Sequence, residues 1–196
     1  MNNNEAAFGE RDTMAIDWKE IARLVGDLNP DGSEMGSGTT SGQRALELII
    51  GEQNIRDAVD YWTTSEPGAF TAEMVLKIVG STIAMERCYE IYKTEPGSDR
   101  AHAAIFLLAG IADDRALPWI PEFLNDNHQG MRWNGLAALQ NILYGPIGGD
   151  GIEVACALLD KAEVDSDPRI RERATKIKGL LSSNLSFHHH GLYKSN

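Results

Sequence analysis

The amino-acid sequence predicts an all-α chain of stacked helical hairpins, and three observations carry that expectation. Apolar residues recur at helical spacing in one segment after another, and no segment keeps a period-2 alternation, so no sheet is expected. The helical segments are short and are punctuated by Pro, Gly and Asp turns. One turn also occurs twice. SEPGAFTAEMVLKIVG covers 65–80 and TEPGSDRAHAAIFLLAGI covers 94–111, each a Glu-Pro-Gly followed by an apolar run. One hairpin cannot bury its apolar stripe alone, whereas stacked hairpins bury it against each other, so the same turn is needed again.

The elements follow in order. Residues 1–16 are polar and are expected to be a flexible segment. In 17–28, DWKEIARLVGDL, one stripe carries Trp18, Ile21, Leu24, Val25 and Leu28, with Asp17 as N-cap and Glu20 as its capping-box partner. The stretch 29–42, NPDGSEMGSGTTSG, has the composition of a flexible loop, and helix resumes over 43–50 until Gly51. Helices are then expected over 54–63, 71–79, 83–92, 100–111, 115–124, 131–143, 152–159 and 169–181. Pairing them gives five units: 17–51, 52–80, 81–112, 113–144 and 149–182. The tail 183–196, which holds the run His188-His189-His190, is expected to be disordered and not a metal site. Trp18, Trp62 and Trp119 fall on core stripes.

Charge narrows the function classes. The chain has 18 Lys and Arg against 29 Asp and Glu among 196 residues, a formal net charge of −11. That balance repels phosphate backbones and anionic lipid and suits a basic protein partner. Cys88 and Cys156 have no CxxC spacing and read as free thiols of a reducing compartment. There is no signal-peptide pattern and no apolar run long enough to span a membrane, so the expected location is cytoplasmic.

The clearest unit is DDRALPWIPEFLNDNHQGMRWNGLAALQNIL, 113–143. It resembles a HEAT repeat in the short bacterial form, with Pro118 in the first helix and Asp126 in the turn. Met131-Arg132, Gly135 and Ala138-Leu139 then mark the second helix. The last unit matches with Asp165 or Asp167, Ile170-Arg171, Ala174 and Ile177, and the third with Asp99-Arg100, Ala103 and Leu107. The first offers Arg44 and Leu48, and the second has Thr71 where Arg is expected. The resemblance implies a right-handed α-solenoid of five HEAT-like hairpins over 17–182, with the second helices lining a concave face.

Small residues at Ala103, Gly135 and Ala174 would let helices approach closely, and Pro118 would bend its helix. Arg44, Arg100, Arg132 and Arg171, with Asp126 and Asp167, are expected to form a structural ladder between units. Relative to the repeat Arg, positions +3, +6, +7 and +10 should face the core. The outward positions are then Ala101, His102, Ile105, Leu108 and Ala109 in unit three, and Trp133, Asn134, Ala137, Gln140 and Asn141 in unit four. In unit five they include Glu172, Arg173 and Lys176. The candidate partner-binding set is Asp99, His102, Trp133, Asn134, Gln140, Asn141 and Glu172, with Trp133 as the natural anchor.

No phosphate loop, HExxH or Cys-His ligand spacing is present, so no catalytic residue, cofactor or metal is expected. The leading expectation is a non-enzymatic protein-binding module, an acidic immunity protein or antitoxin that neutralises a basic toxin domain. Alternatives implied by the same resemblance are a bilin lyase or chaperone of pigment–protein assembly and, last, a DNA-repair glycosylase-like repeat protein. The last would need a basic concave face.

Overall fold

The computed structural model describes residues 16–35 and 39–191, with side chains described for 16–35 and 40–181. Among the described residues the chain is all-α, and the one β-type feature is an isolated bridge between Leu28 and Glu34. Two compact units divide between Ile50 and Gly51.

The first unit holds α1 (Trp18–Leu24) and α2 (Thr39–Ile50), which touch. Asp17 caps α1, its carboxylate accepting from the Glu20 N–H at 3.0 Å. Glu20 does not complete the capping box and binds Arg23 instead, at 2.7 Å from Nε. The expected core stripe is not formed. α1 stops at Leu24, two residues before Gly26 turns the chain at φ +77°, and seven residues are too few to bury a face. No residue of α1 is buried, and Trp18 is 64% exposed. Part of the expected loop is an ordered turn. Asn29 N–H donates to Ser33 O at 2.8 Å and Met35 N–H to Asp27 O at 2.9 Å. Helix α2 begins at Thr39, inside the Gly/Ser/Thr stretch, and residues 36–38 lie outside the described set.

From Gly51 onward four consecutive helix pairs form. They are α3 (Glu52–Trp62) with α4 (Ala69–Val79) and α5 (Thr82–Thr94) with α6 (Asp99–Ile111). Then come α7 (Ile120–Leu124) with α8 (Gln129–Tyr144) and α9 (Gly149–Ala162) with α10 (Pro168–Gly191). Beyond these pairings α3 touches α5, and the second helices touch in sequence, α4 to α6, α6 to α8, α8 to α10. The repeated Glu-Pro-Gly has a backbone reason: Gly68 and Gly97 sit at φ +102° and +76°, where an L side chain is strained. In the second turn Ser98 follows and caps α6, its hydroxyl accepting from the Ala101 N–H at 3.0 Å.

Three expectations are corrected here. The segment 115–124 is not one helix bent at Pro118. A short 3-10 turn, Asp114–Ala116, precedes Pro118, and α7 starts only at Ile120, because proline supplies no N–H to carry a helix through. Residues 183–191, expected within a disordered tail, continue α10 as helical backbone, as no Pro or Gly interrupts 180–190. The register of α6 is also two residues off. Ala101, Ile105, Leu108 and Ala109 are buried, not outward, while Phe106, placed inward, is 52% exposed. The N-cap sets the register. Arg132 lies four residues after the α8 cap His128, and Arg171 four after Asp167. His102, not Arg100, lies four after Ser98. Counting from His102, positions +3, +6, +7 and +10 are Ile105, Leu108, Ala109 and Ala112, all buried.

The ladder is irregular, and two of its arginines, Arg132 and Arg100, reach a carboxylate of a neighbouring unit. Arg132 donates from Nη1 to the Asp126 and Asn127 carbonyls at 3.0 and 3.2 Å, and from Nη2 to Asp165 at 3.3 Å. Its Nε also lies 2.9 Å from Asp165 Oδ2 with its N–H turned off the oxygen, a Coulombic contact without a hydrogen bond. Arg171 repeats the clamp on its own turn, at 2.7 and 3.0 Å from the Asp165 and Ser166 carbonyls. Asp126 ties units three and four without an arginine, accepting from the Tyr92 hydroxyl at 2.9 Å, and Asp167 accepts from Arg169 within its own turn. Arg100 reaches back to Asp60 of α3 at 2.8 Å, beside Arg87 at 2.9 Å. Arg44 stands in α2, in the first unit.

Trp62 and Trp119 pack as expected. Trp62 donates to the Ala103 carbonyl at 3.3 Å, and Trp119 stacks on Tyr89 with centroids 4.8 Å apart. Cys88 and Cys156 are free thiols, and burial pushes the Cys88 thiol pKa up. On α4, Glu73 is buried and pairs with Lys77, whose stem passes over Gly110 of α6. A Cβ there would come within 2.9 Å of Lys77 Cε.

Two measurements check the packing. A Cβ on Gly135 would meet Phe123 Cβ at 2.9 Å, whereas one on Gly179 meets nothing within 4 Å. Overpacking of about 1–3 kcal/mol should outweigh the gain of about 1 kcal/mol in helix propensity at the first site only. Urea unfolding should therefore show Gly135→Ala destabilised and Gly179→Ala stabilised. The side chains of Arg132 and Asp165 are 13% and 12% exposed. Asp165→Ala leaves a buried guanidinium without its carboxylate and should cost about 3 kcal/mol in the same assay.

Candidate protein-binding groove

Trp133 stands five residues after the α8 cap, one past the position that Arg132 commits to the turn, so its ring leaves the core. It is 40% exposed. One face is covered by the Arg173 guanidinium from α10, 4.2 Å from the ring centroid, within cation–π range. Arg173 Nη2 donates to the Gln140 amide oxygen at 3.2 Å, which holds the guanidinium over the ring.

Between α8 and α10 lies an open groove of about 420 Å³. Trp133 and Leu180 supply its exposed apolar surface, and buried Ile177 lies beneath it. Gln140 and Glu172 are polar lining, and Arg169, Arg173 and Lys176 bring three cations. The wall exists because Ala174 and Ile177 bury one face of α10, which turns residues 169, 172, 173, 176 and 180 toward α8.

Arg173 is the unusual charge. Burial alone moves its pKa down, and no carboxylate of the described residues lies within 4 Å of it. Arg169 has a counterion, Asp167 at 3.3 Å, and that pairing holds the Asp167 carboxyl below its ordinary range. The cation–π contact and one amide are therefore what compensates Arg173.

Of the seven sequence candidates, the groove unites Trp133, Gln140 and Glu172. Asn134 is half-buried beside Trp133 and does not line it. Asn141 is a tie between helices, its amide donating to the Ala109 carbonyl at 2.5 Å. Asp99 is exposed in the first turn of α6. His102 is a structural contact: Nδ1 lies 2.9 Å from the Ser98 carbonyl and Nε2 lies 2.8 Å from His128 Nδ1, which also accepts the Gly130 N–H. His128 escaped the sequence reading, although its place in the NDNHQG turn is that of a cap. Arg169 and Leu180 were also unassigned. The cation-rich run RIRERATKIK was the available signal, and it becomes a wall only once α8 lies opposite.

If Arg173 serves the groove and not the fold, its loss should be cheap. Arg173→Met keeps the stem over Trp133 and removes a desolvated charge, and unfolding free energy should change by less than about 1 kcal/mol, in contrast to Asp165→Ala. No protein-family model and no curated protein matches the chain, so the all-helical architecture and this groove carry the functional reading.

Proposed function

We propose that the chain is a non-enzymatic protein-binding module in which HEAT-like hairpins stack as a right-handed α-solenoid and offer the α8–α10 groove to another protein. The observation that carries this reading is Trp133, a large ring left 40% exposed on a helix whose other large apolar residues are mostly buried, in a groove with polar and charged rims. Aromatic and arginine side chains in such settings dominate binding energies. The sequential contacts of the second helices support the solenoid.

Within this class we propose the role of an immunity protein or antitoxin that neutralises a basic toxin domain by covering it. The net charge of −11 supports a partner of opposite overall charge, drawn in over long range. The groove is locally cationic, so contact there is made by an acidic part of that partner.

Affinity capture from the source cell tests the reading. The wild-type chain should retain one protein in stoichiometric amount, and Trp133→Ala should weaken that complex by about 2 kcal/mol or more while leaving the helical circular dichroism intact. Association should slow steeply from low to high salt. Capture of no protein, or equal retention by the variant, overturns it.

A further inference from the structure

We infer that the α8–α10 groove holds a short acidic segment of the partner protein, with a carboxylate on Arg173 beside Trp133 and an apolar or aromatic side chain against Leu180. This inference rests on the protein-binding reading and specifies what the groove recognises.

Charge complementarity comes first. In a chain of net charge −11, the groove lining brings three cations together with a single carboxylate, Glu172. Arg169 is answered by Asp167, but Arg173 faces only a ring and one neutral amide. A guanidinium has five N–H donors in a fixed fork that fits a carboxylate with two parallel hydrogen bonds. Gln140 engages Nη2. An incoming Asp or Glu side chain would supply the counterion that the fold leaves out, and it would do so where the charge is already partly desolvated.

Dimensions favour a segment over a single small acid. The lining on α10 runs from Arg169 to Leu180, about 16 Å along a helix, which matches an extended stretch of about five residues. The cations extend from Arg169 to Lys176 and Leu180 closes the run, so acidic side chains of the segment would lie along most of its length with an apolar one at the Leu180 end. Nucleic acid fits less well. Phosphate-backbone binding draws on many cations, and the remaining surface repels a polyanion.

A phage-displayed random twelve-residue peptide library, selected on the full chain, tests this. Enriched peptides should carry Asp or Glu near Phe, Trp or Leu. As synthetic fluorescent peptides they should lose about tenfold or more in affinity on Arg173→Gln and on Trp133→Ala, and both variants should keep the wild-type circular dichroism. A single-stranded oligonucleotide should not displace them. Enrichment of basic or neutral peptides, displacement by the oligonucleotide, or equal binding to Arg173→Gln overturns the inference. No enrichment at all does so too. The two readings fail separately. A partner captured by the wild-type chain and lost by Trp133→Ala, with no acidic peptide selected, removes the acidic segment and keeps the binding module.

Discussion

Two amphipathic helices joined by a short turn cannot hide all their apolar surface in each other, and the arrangement from Gly51 onward follows from that limit. The second helix of each pair touches the next: α4, α6, α8, α10. A helix in the middle of such a series is covered from several directions, and α6 shows it, with seven of its thirteen residues buried. α10 is the last in the series, and its charged residues remain along the side toward α8.

Arg132 and Arg173 show one residue type in two settings. Arg132 spends its donors on two carbonyls of its own turn and on a carboxylate of the following unit, so its charge is answered inside the structure. Arg173 is covered to a similar purpose by a ring and an amide, yet receives no carboxylate. A buried or half-buried arginine is costly to leave unpaired. Inside the fold the Arg173 charge is met by the Trp133 ring and the Gln140 amide alone.

Much of the helix order was legible because periodicity and turn chemistry agree: Glu-Pro-Gly twice, Asp17 at a cap, small residues at Gly135 and Ala174. The failures share a cause, which is that a pattern gives spacing but not its origin. Arg100 looked like the repeat arginine, yet the α6 cap is Ser98, so the true register falls on His102. Trp18 fitted a stripe that its helix is too short to complete. Pro118 fitted a bend and produced a break. In the groove, Trp133 was visible as an anchor because it interrupts small and polar neighbours. Its cover by Arg173, forty positions away, depends on the approach of two helices that no local pattern specifies.

The pairing of Glu73 with Lys77 shows how far a small side chain can reach. Glu73 is the one buried carboxylate among the described residues, and the stem of its partner Lys77 crosses the space left open by Gly110 of α6. The buried charge is answered within α4 itself, one helical turn along. A side chain at residue 110 would first meet the flexible end of Lys77, so the glycine and the buried acid lie on opposite sides of one methylene stem.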